Sequence, residues 1–108
     1  MASNDAAAGT DELVESELPS FSIVLPTYNR SEVVEQTLLQ LLDQDYPSDR
    51  YEILVCDNSS DDTPQMVERV ASTASSPVRL LSSEERLPAV KRNQGLHAAT
   101  GDYILYMN

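Results

Sequence analysis

The chain predicts an α/β fold of three layers, with a parallel sheet in the spatial order 3-2-1-4 and helices on both faces. Three observations carry the prediction. Short apolar runs alternate with stretches of helical periodicity, giving β-α-β-α-β-α-β. The connections have helical length, as right-handed crossovers between parallel strands require. The apolar runs also end in polar, turn-forming residues, which is where an open α/β sheet presents its carboxyl edge to a ligand. In the 3-2-1-4 order strands one and four are neighbours, so Pro26–Arg30 and Asn108 fall side by side where the order reverses.

The elements follow in turn. Phe21–Leu25 reads as a buried strand that Pro26 ends. A helix is predicted from about Ser31, with Val33, Val34, Thr37, Leu38, Leu41 and Leu42 as its apolar stripe. Asn29 and Ser31 are both candidate caps, and Glu32 suits the helix N-terminus. After the turn residues Asp45 to Asp49, Tyr51–Val55 forms strand two. A second helix opens at Thr63 with Pro64 in its first turn, placing Met66, Val67, Val70, Ala71 and Ala74 on one face. Val78–Leu81 is a shorter third strand, and Ser82–Leu87 is a loop. The third helix starts near Pro88 and is stopped by Gly101. Gly95 inside it costs about 1 kcal/mol of helix propensity, so it marks close packing or a weak turn. Tyr103–Met107 is strand four; its apolar run would be an unprotected edge, so more chain is expected to follow.

Composition narrows the classes. With 108 residues, 41% of them hydrophobic, the chain holds one small globular unit at most. Residues 1–19 carry five acids and no base, hence -5 of the formal -11, and too little apolar surface to order a backbone. They are expected to be a flexible acidic leader ahead of a unit over 20–108. A surface of this sign disfavours nucleic acid and anionic membranes, although a local basic patch can still hold a small nucleotide. The lone Cys56 excludes an internal disulfide and a cysteine-rich metal site, and its position makes it a buried small hydrophobe. No apolar run reaches the ~18 residues of a membrane span, so a cytoplasmic location is expected.

Three loops converge on the carboxyl edge. In Thr27-Tyr28-Asn29-Arg30, Tyr28 offers a face for stacking a base and Arg30 a charge for phosphate. An ordinary strand-to-helix turn capped by Asn29 would use the same residues. Asp57, followed by Asn58, places a carboxylate after a buried strand, where it can accept a hydrogen bond from a base imide or a ribose hydroxyl; a plain turn is the alternative. Arg86, Lys91 and Arg92 gather three of the seven basic residues within seven positions. They could neutralise a diphosphate, or balance Glu84 and Glu85 on a solvated helix face. His97 has no partner at ligand spacing and reads as a surface residue. No G-x-G-x-x-G, Walker loop or G-x-S-x-G elbow is present.

Together SIVLPTYNR, EILVCDNSSDDT and AVKRNQGLHAATGDYILYMN resemble the N-terminal half of family 2 nucleotide-sugar glycosyltransferases over residues 21–108. The resemblance implies the Rossmann-like first half of a GT-A fold. It also implies inverting transfer of a sugar from a nucleoside diphosphate donor, with a UDP-sugar expected. Pro26, Thr27 and Tyr28 then correspond to the loop that holds the base, with Asn29 and Arg30 beside it. Asp57, with Asn58 next to it, corresponds to the acid that recognises the base. Lys91, Arg92 and Asn93 correspond to the basic helix start near the phosphates. Asn108 falls at the first position of the family's metal-binding D-x-D motif, so a divalent metal (Mn2+ or Mg2+) is expected in the full-length enzyme. The catalytic base is expected beyond residue 108, leaving this chain able to bind donor but inactive alone. A sugar nucleotidylyltransferase is disfavoured because the glycine-rich loop is missing. The competing class is a non-catalytic interaction module that uses the open edge of strand four, with possible self-association there.

Overall fold

A near-continuous apolar run gives β1 (Phe21–Thr27) two buried faces, and that strand lies inside the sheet. The computed structural model describes residues 18–84 and 87–107. After β1 come α1 (Ser31–Leu42), a short 3-10 turn (Ser48–Arg50), β2 (Tyr51–Asp57) and α2 (Thr63–Thr73). The chain continues through β3 (Val78–Ser82), α3 (Pro88–Ala98) and β4 (Tyr103–Tyr106). The sheet is parallel in the order β3-β2-β1-β4, as the sequence predicts. Most of the expected leader, together with Arg86 and Asn108, lies outside the described residues.

The two faces of the sheet bury different cores. Ile23, Leu25, Ile53 and Val55 pack with Val34 and Leu38 of α1 and with Met66, Val67 and Val70 of α2. On the opposite face Val24, Leu54 and Cys56 are fully buried beneath α3 and the Ala98–Ala99 segment. Gly95 makes that second layer possible. A Cβ there would lie 2.5 and 2.8 Å from the two Val24 methyls, so close packing is the reason for a glycine in mid-helix. Burial pushes the Cys56 thiol up against smaller opposing effects of Lys91 and the Gly95 N–H, so it remains a protonated core group.

Several boundaries differ from the sequence reading, each for a physical reason. Pro26 does not end β1; it sits inside the strand opposite Cys56. Ser20 and Val24 direct their carbonyls to Tyr103 and Met107 of the β4 side, so Pro26, two residues on, faces that side beyond the last of these bonds. The next rung would be the N–H of residue 26 to the Met107 carbonyl, so the proline ends the β4 ladder there without ending the strand, which still pairs with β2. β2 likewise runs on to Asp57, which makes that residue the end of a strand rather than part of a loop. α3 stops at Ala98, before Gly101. Gly101 is needed instead for close approach, because a Cβ would meet the Phe21 and Ser22 backbone at 2.7 Å. Val33 of the expected α1 stripe is 55% exposed, while Val34 and Leu38 carry the burial. Tyr103, Leu105 and Tyr106 leave β4 the apolar edge that the sequence suggests.

Glu52 fastens the amino end of the α3 face. Its Oε2 accepts from the Ser22 hydroxyl at 2.7 Å and from the Thr100 N–H and hydroxyl at 2.9 and 3.0 Å. Its Oε1 accepts from Arg79, which also donates to the Ala98 carbonyl. Burial alone would push this carboxyl up. The bonds from Ser22, Thr100 and Arg79 together outweigh it and hold the group below its ordinary 4.5. Its contribution to stability is therefore complete above that value and is lost as pH falls through the depressed folded value. The fall in urea midpoint between neutral pH and about pH 4 is accordingly expected to be smaller in E52Q than in the unsubstituted chain. Equal falls would contradict the assignment.

Candidate functional site

Thr27 and Asp57 end the two central strands in register, and the Thr27 hydroxyl donates to Asp57 Oδ1 at 2.6 Å. The Ser59 hydroxyl donates to the same oxygen at 2.6 Å, and the Ser59 N–H donates to Oδ2 at 2.9 Å. Asp57 is thus held by three donors and is only 4% exposed. Its neighbour Asn58 turns its side-chain oxygen toward α3.

Asn29 joins the first loop to the second. Its φ of 50° lies in the left-handed region that asparagine tolerates better than most residues. Its N–H donates to Ser59 Oγ, and its Oδ1 accepts from the Ser60 and Asp61 N–H groups at 2.8 and 3.2 Å. The capping role expected of Asn29 or Ser31 is not realised: Arg30 stands at the N-cap of α1, which has no side-chain cap bond. At the start of α2 the N-cap residue Asp62 likewise has no side-chain cap bond, and Asp61 before it supplies an acceptor. Its Oδ1 accepts from the Thr63 hydroxyl and N–H at the start of α2, and those bonds hold its carboxyl below the ordinary 3.8.

The third contributor is α3. Lys91 is 2% exposed, and its Nζ donates to the Thr27 carbonyl at 2.7 Å and to Asn58 Oδ1 at 2.5 Å. The same nitrogen lies 5.7 Å from the centre of the Tyr28 ring, within cation–π range. A cleft of about 410 Å³ opens beside these groups. Pro26, Thr27, Tyr28, Arg30, Lys91 and Arg92 line it, over a floor that includes Leu25 and Val34.

The predicted residues thus meet at one rim but not on one wall. Tyr28, Arg30 and Arg92 face the cleft, whereas Asp57 and Asn58 sit behind Thr27 and Lys91. Asn93 is exposed and does not line the cleft. Sequence reasoning missed Ser59, whose bridging hydroxyl leaves no pattern to read. It also missed the burial of Lys91, for which a signal existed. Lys91 lies four residues before Gly95, hence on the same helix face, and close packing at one implies burial of the other. Among the described residues no group of three His, Cys, Asp or Glu side chains could hold a metal, so these residues do not make a metal site by themselves. No helix of the described residues is long and apolar enough to cross a membrane.

The parallel 3-2-1-4 sheet with helices on both faces is the architecture of the GT-A glycosyltransferase class, to which the structural neighbours of this chain belong. Residues 22–108 match the family model of glycosyl transferase family 2, and the chain belongs to that family of enzymes. It is 32% identical over 94 residues to the glycosyltransferase AglE of Haloferax volcanii, covering 86% of this chain and 31% of the relative. It is 33% identical over 89 residues to the poly(ribitol-phosphate) beta-N-acetylglucosaminyltransferase TarS of Staphylococcus aureus, covering 82% of this chain and 16% of that protein. Among solved structures, the mannosyltransferase PcManGT of Pyrobaculum calidifontis, in complex with GDP-Man and Mn2+, superposes with a TM-score of 0.76 at 34% identity. That match covers 83% of this chain and 27% of the neighbour. S. aureus TarS 1-349 in complex with UDP-GlcNAc gives 0.73 at 30%, covering 82% of this chain and 26% of the other. The chain therefore spans about a third or less of the length of these relatives.

The loop clamp makes a prediction. N29A removes an acceptor for two N–H groups and puts alanine at positive φ, and is expected to cost about 1–3 kcal/mol in urea unfolding. N29G, which accepts that φ, is expected to cost roughly 0.5–1 kcal/mol less. Two variants indistinguishable from the unsubstituted chain would contradict the clamp.

Proposed function

We propose that this chain forms the donor-nucleotide half of an inverting family 2 glycosyltransferase whose donor is a UDP-sugar, and that the 108 residues alone bind donor without turning it over. The observation that carries the reading is the meeting of Tyr28, Asp57 and the α3 cations at one rim. An ionised carboxylate has about four acceptor positions, and three of those of Asp57 are taken by Thr27 and Ser59. The remaining one, on Oδ2, would accept the imide N–H of a uracil. Tyr28 keeps 38% of its surface exposed and would stack the base. Arg30 and Arg92 place positive charge on the cleft of a chain whose formal charge is -11, where a diphosphate needs it.

The uridine preference follows the TarS complex, whereas the mannosyltransferase neighbour carries GDP-Man. A divalent cation at the diphosphate belongs to the proposal because that neighbour carries Mn2+; bound there, it would offset the charge of the leaving diphosphate. What the described residues do is bind and orient the nucleotide.

Isothermal titration with UDP and GDP tests the reading. UDP is expected to bind more tightly than GDP, with Y28A weakening it about tenfold or more through lost stacking and D57N weakening it as well. Tighter binding of GDP would contradict the uridine assignment, and the absence of binding by either would contradict the donor site.

A further inference from the structure

Among the described cations at the cleft, one is not placed like the others. Arg30 is exposed and Arg92 half-buried on the cleft wall, but Lys91 is 2% exposed. Its ammonium has three protons, and two are directed into the protein: one to the carbonyl of Thr27 at the end of β1, the other to the side chain of Asn58 just after β2. Both bonds are short and charge-assisted. Moving Nζ outward to meet a phosphate would leave the Thr27 carbonyl and Asn58 Oδ1 without this donor at a buried position, which is costly.

The groups it holds are those that hold the acid. Thr27 gives its carbonyl to Lys91 and its hydroxyl to Asp57. Asn58 gives its amide oxygen to Lys91 and lies between Asp57 and Ser59, themselves joined by two bonds. Asn29 closes the other side through Ser59, Ser60 and Asp61. Lys91 therefore spans the two strand ends from the α3 side while Asn29 spans them from the loop side.

We infer that Lys91 is a positioning residue, not a phosphate ligand: its buried ammonium ties the β1 and β2 ends together and so fixes the base-recognising carboxylate of Asp57. The cleft-lining arginines meet the diphosphate. The bracing follows from the ligand-free geometry; only the assignment of what the braced loops bind rests on the donor reading proposed above.

Two readouts on the 108-residue chain test this separately. In the ligand-free protein, K91M is expected to raise amide hydrogen exchange at Ser59 and Ser60, whose N–H groups are bonded to Asp57 and Asn29, by about tenfold. N58A, which removes the other end of the brace, is expected to act on the same amides and serves where K91M does not fold. Unchanged exchange at both amides in the folded variants overturns the bracing. In titrations with uridine and with UDP, K91M is expected to weaken both by the same factor, about tenfold, whereas R92Q weakens UDP more than uridine. A K91M loss confined to UDP makes Lys91 a phosphate ligand and overturns the inference. Should the unsubstituted chain bind neither probe, the donor reading falls, and the exchange measurement alone decides whether Lys91 braces the loops.

Discussion

The contact between Gly95 and Val24 sets the depth at which α3 lies on the sheet. With no side chain at Gly95, the helix backbone comes down onto the two Val24 methyls, at distances where any Cβ would collide. One turn earlier on the same face is Lys91. The close approach is what lets its ammonium reach over the end of β1 to Thr27 and Asn58. A helix standing off by a methyl group would leave those bonds too long to form.

The α3 segment is then fixed at three levels. Lys91 secures its first turn to the carboxyl rim, and Gly95 seats its middle on β1. At its last residue and just beyond it, Arg79 and Glu52 hold Ala98 and Thr100 at the opposite edge of the sheet. Ser22, Glu52 and Lys91, taken into this layer, have partners of complementary kind, as burial in a low-dielectric interior demands, whereas Gln94 Oε1 of α3 is buried without one. The outcome is electrostatic as well as mechanical. In a chain of formal charge -11, docking α3 brings Lys91 and Arg92 to the loops that carry Tyr28 and Arg30. A cationic cleft thereby forms on an acidic protein, which overall composition alone would not reveal.

Much of this was legible in the sequence. The strand order followed from alternating runs and crossover lengths, and the three motif loops were placed at the correct edge. What escaped was the kind of contact each residue makes. Pro26 reads as a terminator until one sees that its nitrogen faces the side where the β4 ladder has ended. Asn29 reads as a helix cap because capping is local and its actual partners, Ser59 to Asp61, lie about thirty residues away. Gly101 reads as a helix stop, but its use is to let the backbone pass Phe21 and Ser22. Lys91 reads as a phosphate cation or a solvated one because lysine is seldom buried, and only its spacing to Gly95 argues otherwise. In each case the deciding interaction is a tertiary one.

All of this depends on α3 lying against β1 and β2 with Lys91 turned inward. The most direct measurement is a set of nuclear Overhauser contacts in the ligand-free chain. Cross-peaks from the Gly95 α-protons to the Val24 methyls, and from the Lys91 side chain to the Tyr28 ring, are the expected result. A Gly95 with no contact to Val24, together with a Lys91 side chain averaging freely in solvent, would contradict the arrangement and the rim built on it.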